Sequence, residues 1–127
     1  MKRINKYTIN HTESIRNAIR KMDKEDVNFL AVIDKKYNVK GVFTLGDFRK
    51  AVIQGIDISD RVSKITNNNY FYLQENYTKT ELDKLFKKKE INDLPVLKEG
   101  RLIEIVHKKD FFSKYKHNKI NSIAKLP

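Results

Sequence analysis

The sequence predicts an α/β fold of the α+β kind, built from two copies of one strand–helix–strand–strand–helix unit. Three observations predict it. The chain repeats itself: Gly41-Val42-Phe43-Thr44-Leu45-Gly46-Asp47 has its counterpart in Glu104-Ile105-Val106-His107-Lys108-Lys109-Asp110, each Asp lying 63 residues from its partner. Each copy follows a short apolar run, Phe29 to Ile33 in one half and Leu94 to Leu97 in the other. Each run in turn follows apolar residues at helical spacing. The expected division is a first repeat at 1–63, a second at 64–117 and a linker at 118–127 to a missing C-terminal domain.

The first unit opens with an extended stretch, Tyr7-Thr8-Ile9, and Thr12 is placed to cap the helix after it. Ile15, Ala18, Ile19 and Met22 fall at i, i+3, i+4 and i+7 and form one apolar face. Phe29-Leu30-Ala31-Val32-Ile33 has strand length and enough branched residues to be buried on both faces. Lys35-Lys36-Tyr37-Asn38 is a polar turn, and Val39 to Phe43 the next strand. Leu45, Phe48, Ala51 and Val52 resume helical spacing, with Gly55 placed to end that helix. Residues 56–68 read as a connector ending in Asn67-Asn68-Asn69.

The second unit opens with Tyr70-Phe71-Tyr72-Leu73, an alternating strand with two packed rings. Thr78-Lys79-Thr80-Glu81 is a capping box, and Leu82, Leu85 and Phe86 form the apolar face of its helix, leaving Lys84, Lys87 and Lys88 in solvent. Leu94-Pro95-Val96-Leu97 is the matching strand, with Pro at its start. Lys98-Glu99-Gly100-Arg101 is a turn, Leu102 to Val106 a strand, and Phe111, Phe112 and Tyr115 mark a last short helix.

Composition narrows the function classes. Of 127 residues, 39% are hydrophobic and 34% charged, and no apolar run approaches a membrane span. Met1 to Asn5 contains no apolar secretory segment, and there is no cysteine for disulfides or thiolate metal sites. The expected location is the cytoplasm. The net charge of +11 is shared by both halves, with 13 basic and 8 acidic residues up to position 63 and 14 and 8 after it. A proteome-wide taste for Lys, Asn and Ile explains such a bias; a field that attracts anions is the functional alternative. His11, His107 and His117 lack metal-ligand spacing, and no nucleophile–base set or phosphate loop is present.

The order and duplication of these motifs resemble the cystathionine-β-synthase (CBS) domain in tandem, often called a Bateman module, over about residues 4–116. The carrying residues are Leu94-Pro95-Val96 with its weaker copy Leu30-Ala31-Val32, the acidic Asp34, and Gly41 to Asp47. The resemblance implies two small mixed sheets with helices, packed about a pseudo-two-fold axis that leaves two clefts. It also implies an adenine nucleotide (AMP, ADP or ATP) as regulatory ligand. The motif Asp would bond ribose hydroxyls, and the Thr or Ser would face phosphate. The ligand-binding residues carried over are Gly41, Val42, Thr44 and Asp47 in the first cleft and His107 and Asp110 in the second. Because His107 replaces Thr and Glu104 replaces Gly, the expectation is one intact and one degenerate site. Asp47→Ala is expected to lose ribose recognition while the fold survives.

The same residues have a plainer reading. Thr44-x-x-Asp47 is a helix-capping pattern, and His107-x-x-Asp110 a poorer version of it. The resemblance further implies a homodimer through the pair and a C-terminal catalytic domain in the same chain, with the chain itself no enzyme and no cofactor required. The residues themselves predict no metal site and no membrane span, and nucleic-acid binding driven by charge stands as a third reading. Ile123-Ala124-Lys125-Leu126-Pro127 is similar to the run-in to a sugar-phosphate nucleotidyltransferase. The alternative is a ligand-free dimerisation module.

Overall fold

A computed structural model describes residues 2–88 and 90–111. The first unit comprises α1 (Lys2–Asn5), β1 (Thr8–Asn10), α2 (Ile15–Glu25), β2 (Phe29–Ile33), β3 (Val39–Thr44) and α3 (Leu45–Ile53). A 3-10 helix, Val62–Ile65, leads to β4 (Leu73–Gln74), α4 (Lys79–Phe86), β5 (Asp93–Lys98) and β6 (Arg101–His107). A last helical turn occupies 108–111. The expected Phe112 and Tyr115, with His117 and the 118–127 linker, lie outside the described residues.

Each unit makes a three-stranded mixed sheet of the same topology. β2 lies between β1, to which it is parallel, and the antiparallel β3; β5 lies likewise between β4 and β6. Every residue of β2 is buried. Its alternation puts Leu30 and Val32 against α2, with Ile15, Ala18 and Met22, and puts Phe29, Ala31 and Ile33 on the opposite face. There they meet Leu97 and Leu102 of the second sheet, so the two sheets pack face to face. Leu94 and Val96 look the other way, onto Phe86 of α4. The hairpin turns also meet: the Val39 amide donates to the Gly100 carbonyl at 3.0 Å, and the Leu102 amide to the Tyr37 carbonyl at 2.9 Å.

Several local expectations change. The cap of α2 is Ser14, whose Oγ accepts from the Asn17 amide at 3.0 Å, while Thr12 donates its hydroxyl to Asn10 at 2.7 Å. Thr78 caps α4 through the Glu81 amide at 3.1 Å, but Glu81 makes no return bond, so only half of the box forms. Gly55, at φ 79°, does end α3: its amide reaches the Val52 carbonyl and the Ile56 amide the Ala51 carbonyl, both at 3.0 Å. Only Ala51 is fully buried on α3; Leu45 and Val52 are exposed, because the apolar residues of this short helix wrap beyond the face that meets the sheet.

Pro95 sits in the third position of the central strand β5, not at its start. In the first unit the Ala31 amide donates to the Tyr7 carbonyl at 2.7 Å. Pro95 occupies the matching place and has no N–H to give to Phe71. β4 therefore pairs only at Leu73 and Gln74, shorter than the expected strand. Phe71 and Tyr72 are half exposed, and the two packed rings are Tyr70 and Tyr72, 5.6 Å apart. The connector is structured too. Asn67 and Val42 exchange both backbone bonds, at 3.0 and 2.9 Å, along the edge of β3.

Candidate functional site

Two clefts lie between the units, related by the internal repeat. The first, about 570 Å³, is lined by Val42, Thr44 and the start of α3, by Asn28 and Phe29, by Asn67 to Phe71 in part, and by 90–93 of the second unit. The second, about 520 Å³, is lined by Tyr7, by 26–29 of the first unit, by Asn92 and Asp93, and by His107 to Asp110. Asn28, Phe29, Asn92 and Asp93 line both, as the facing strand entries should about a two-fold axis.

Thr44 and Asp47 meet at the start of α3. The Asp47 Oδ2 accepts from the Thr44 amide at 2.9 Å and from its hydroxyl at 3.0 Å, while the Thr44 Oγ1 accepts from the Asp47 amide at 3.2 Å. The capping reading of this motif is therefore realised. It leaves Asp47 Oδ1 without a hydrogen bond from any described residue, and an ionised carboxylate oxygen can still accept from a ligand hydroxyl.

Gly41 lines neither cleft. It is buried where the connector crosses β3, and a Cβ there would stand 2.3 Å from Thr66 Cγ2 and 2.6 Å from the Asn67 carbonyl oxygen. The glycine thus shapes the first cleft indirectly, by letting Asn67 pair along its rim. The matching Glu104 is exposed and lines neither cleft.

His107 does not cap with Asp110. Its Nδ1 pairs with Asp93 Oδ1 at 2.7 Å, and its ring lies 4.6 Å from Tyr7, across the boundary between units. An ionised carboxylate only accepts, so Nδ1 carries the proton and a neutral ring has no N–H at Nε2. On such a ring Nε2 can only accept, so it offers no proton to a phosphate. Burial, then Asp93, then Asp110, push the Tyr7 hydroxyl above its ordinary pKa, so it stays protonated as a donor.

Val42, Thr44 and Asp47 come together in one cleft and His107 and Asp110 in the other. The sequence reading missed Tyr7, Asp26, Asn28, Glu90, Asn92 and Asp93. Each lies outside the motif segment; Asn28, Asn92 and Asp93 reach both clefts, Asp26 the second and Glu90 the first, through packing between units. The signal available was the repeat itself: Asn28-Phe29 and Asn92-Asp93 hold equivalent places at the entries of β2 and β5.

The family model of the CBS domain matches twice, over residues 1–54 and 62–117. The chain is a tandem CBS pair. The CBS pair is 30% identical to the arabinose 5-phosphate isomerase GutQ of Salmonella typhi over 100 residues, which is 78% of this chain but 31% of that protein. It therefore spans about a third of the curated relative it matches. Among solved structures, PAE2072 from Pyrobaculum aerophilum, complexed with AMP, superimposes at a TM-score of 0.70 and 17% identity, over 81% of this chain and 80% of that one. The cytosolic domain of the Mg2+ channel MgtE in complex with ATP does so at 0.70 and 24%, over 85% and 44%. Likenesses this distant establish the fold. CBS pairs are regulatory modules rather than catalysts, and among the described residues no group of His, Cys, Asp or Glu is arranged to hold a metal. No described helix is long and apolar enough to cross a membrane.

Proposed function

We propose that this CBS pair is a cytoplasmic regulatory module, its repeats at 1–63 and 64–117, that binds an adenine nucleotide between the repeats and biases an attached enzyme. The observation that carries the reading is that each inter-repeat cleft holds its own motif Asp, Asp47 or Asp110; that two fold relatives are complexed with AMP and ATP supports it. Occupancy would couple the repeats because each cleft is walled by both, and regulation requires only that the ligand prefer one arrangement of them. The attached domain would handle a sugar phosphate, and the match to GutQ favours an isomerase over the nucleotidyltransferase suggested by Ile123 to Pro127.

The test is thermal unfolding against AMP, ADP, ATP and adenosine. At ~100 times its dissociation constant a ligand adds ~2.7 kcal/mol. The shift is expected to vanish in the Asp47→Ala/Asp110→Ala double variant; a shift of unchanged size there would sink the site assignment.

A second reading, dimerisation, is favoured by one observation. Leu45, Val52 and Ile53 are 45%, 51% and 79% exposed, and with Arg49 they share a face of α3. A second copy would cover them. Ile53→Glu is then expected to convert a dimer to monomer in sedimentation equilibrium, and a monomeric wild-type chain would remove this reading.

A further inference from the structure

Motif completeness ranks the first cleft above the second, but charge ranks them the other way. The charged side chains lining the first cleft are Asp47, Glu90 and Asp93, and among the described residues no cation lines it. The second cleft has Lys108 and Lys109 facing Asp26, Asp93 and Asp110. Asp93 is the carboxylate common to both, and it is turned toward the second, bonded to His107.

The start of α3 would ordinarily favour an anion in the first cleft. That place is already taken by the protein's own carboxylate. Asp47 accepts from the Thr44 amide and hydroxyl, and its own amide is committed to Thr44 Oγ1. A phosphate arriving there would meet a fixed negative charge. Lys88 is the cation closest to mention, with its ammonium 5.3 Å from the Phe71 ring, yet it is not part of the lining. In the second cleft Lys108 donates to the Lys88 carbonyl at 2.8 Å, a neutral acceptor, and forms no ion pair among the described residues. Lys109 is exposed at the rim.

We infer that the second cleft, through Lys108 and Lys109, receives the phosphorylated end of a nucleotide, and that the first admits a nucleoside without phosphate. The inference rests on the nucleotide-binding reading above and assigns ligand chemistry within it. Asp110 and Asp47 keep the ribose role in their own clefts. A phosphate in the second cleft meets two ammonium groups, and charge-assisted contacts of this kind are about twice as strong as neutral ones.

Calorimetric titration of the whole chain with AMP, adenosine and inorganic phosphate tests it. AMP affinity is expected to fall about tenfold or more in Lys108→Gln/Lys109→Gln and in Asp110→Ala, to weaken with salt, and to survive Asp47→Ala. Adenosine binding is expected to ignore the lysines. Loss of AMP binding in Asp47→Ala or Lys88→Gln, with the double lysine variant unchanged, would overturn the inference and leave the nucleotide reading intact. Inorganic phosphate binding as tightly as AMP would overturn it as well, leaving a bare anion site. If neither AMP nor adenosine binds, the reading and the inference fall together. Circular dichroism of each variant confirms folding, and because the lysines are surface groups the salt dependence of wild-type AMP binding gives a readout free of any variant.

Discussion

At the scale of single residues, the two copies of the motif differ most at Gly41 and Glu104. Gly41 is required by the backbone of Asn67, which passes where a side chain would be; Glu104 points to solvent and meets nothing comparable. Gly41→Ala must push the connector off β3 and is expected to cost about 1–3 kcal/mol, as overpacking does. Glu104→Ala should stay within about 0.5 kcal/mol, as surface changes do. Urea unfolding of both variants checks this, and equal effects would show that the connector does not constrain the glycine. The motif Gly was legible in the sequence, yet its task was not. A glycine before a Thr-x-x-Asp suggests approach by a ligand, and here the approaching group is the chain's own backbone.

At the scale of elements, the hairpins show how a few side chains set strand pairing. Asp34 closes the first turn, accepting from the Lys36 and Asn38 amides and from the Asn38 side chain, each at 2.9 Å. These bonds, led by the Asn38 side chain, hold the Asp34 carboxyl below its ordinary pKa, with Lys40 adding a small pull. The folded state thus binds this proton more weakly than the unfolded state. The hairpin's contribution is present above the usual carboxylate range and is lost as pH falls through the depressed value. An NMR titration is expected to place Asp34 below the ordinary value and to move it up in Asn38→Ala; no movement would exclude the turn bonds as the cause. The second hairpin needs no such side chain. Glu99 and Gly100, at φ 51° and 81°, make a two-residue turn whose backbone twist suits the strands.

At the scale of the whole molecule, the repeats share one core. Ile4, Phe29, Ala31, Ile33 and Val42 of the first half are buried together with Leu97 and Leu102 of the second. Neither sheet could cover this face alone, so the halves should unfold together. Leu102 is 2% exposed, and Leu102→Ala is expected to cost about 2–5 kcal/mol. Far-ultraviolet dichroism and tyrosine fluorescence should report the loss as one coincident transition. Two separated transitions would mean that the repeats are independent, and would also weaken any coupling from clefts to an attached enzyme.

The sequence by itself determined the duplication, the strand–helix order of each unit, the double-sided burial of β2 and the motif residues Val42, Thr44 and Asp47 of one cleft and His107 and Asp110 of the other. These follow from local periodicity, capping chemistry and internal repetition, which are written in residues close together along the chain. Only the tertiary structure decided that Asp93 and Tyr7 hold His107, that Asn67 extends the edge of β3, that Pro95 curtails β4 and leaves Phe71 at a cleft rim, and that Leu45, Val52 and Ile53 of α3 face outward. It also decided the charge inside each cleft. Each cleft is walled by both repeats, so its chemistry depends on pairs of residues far apart in sequence, whose meeting no local pattern encodes.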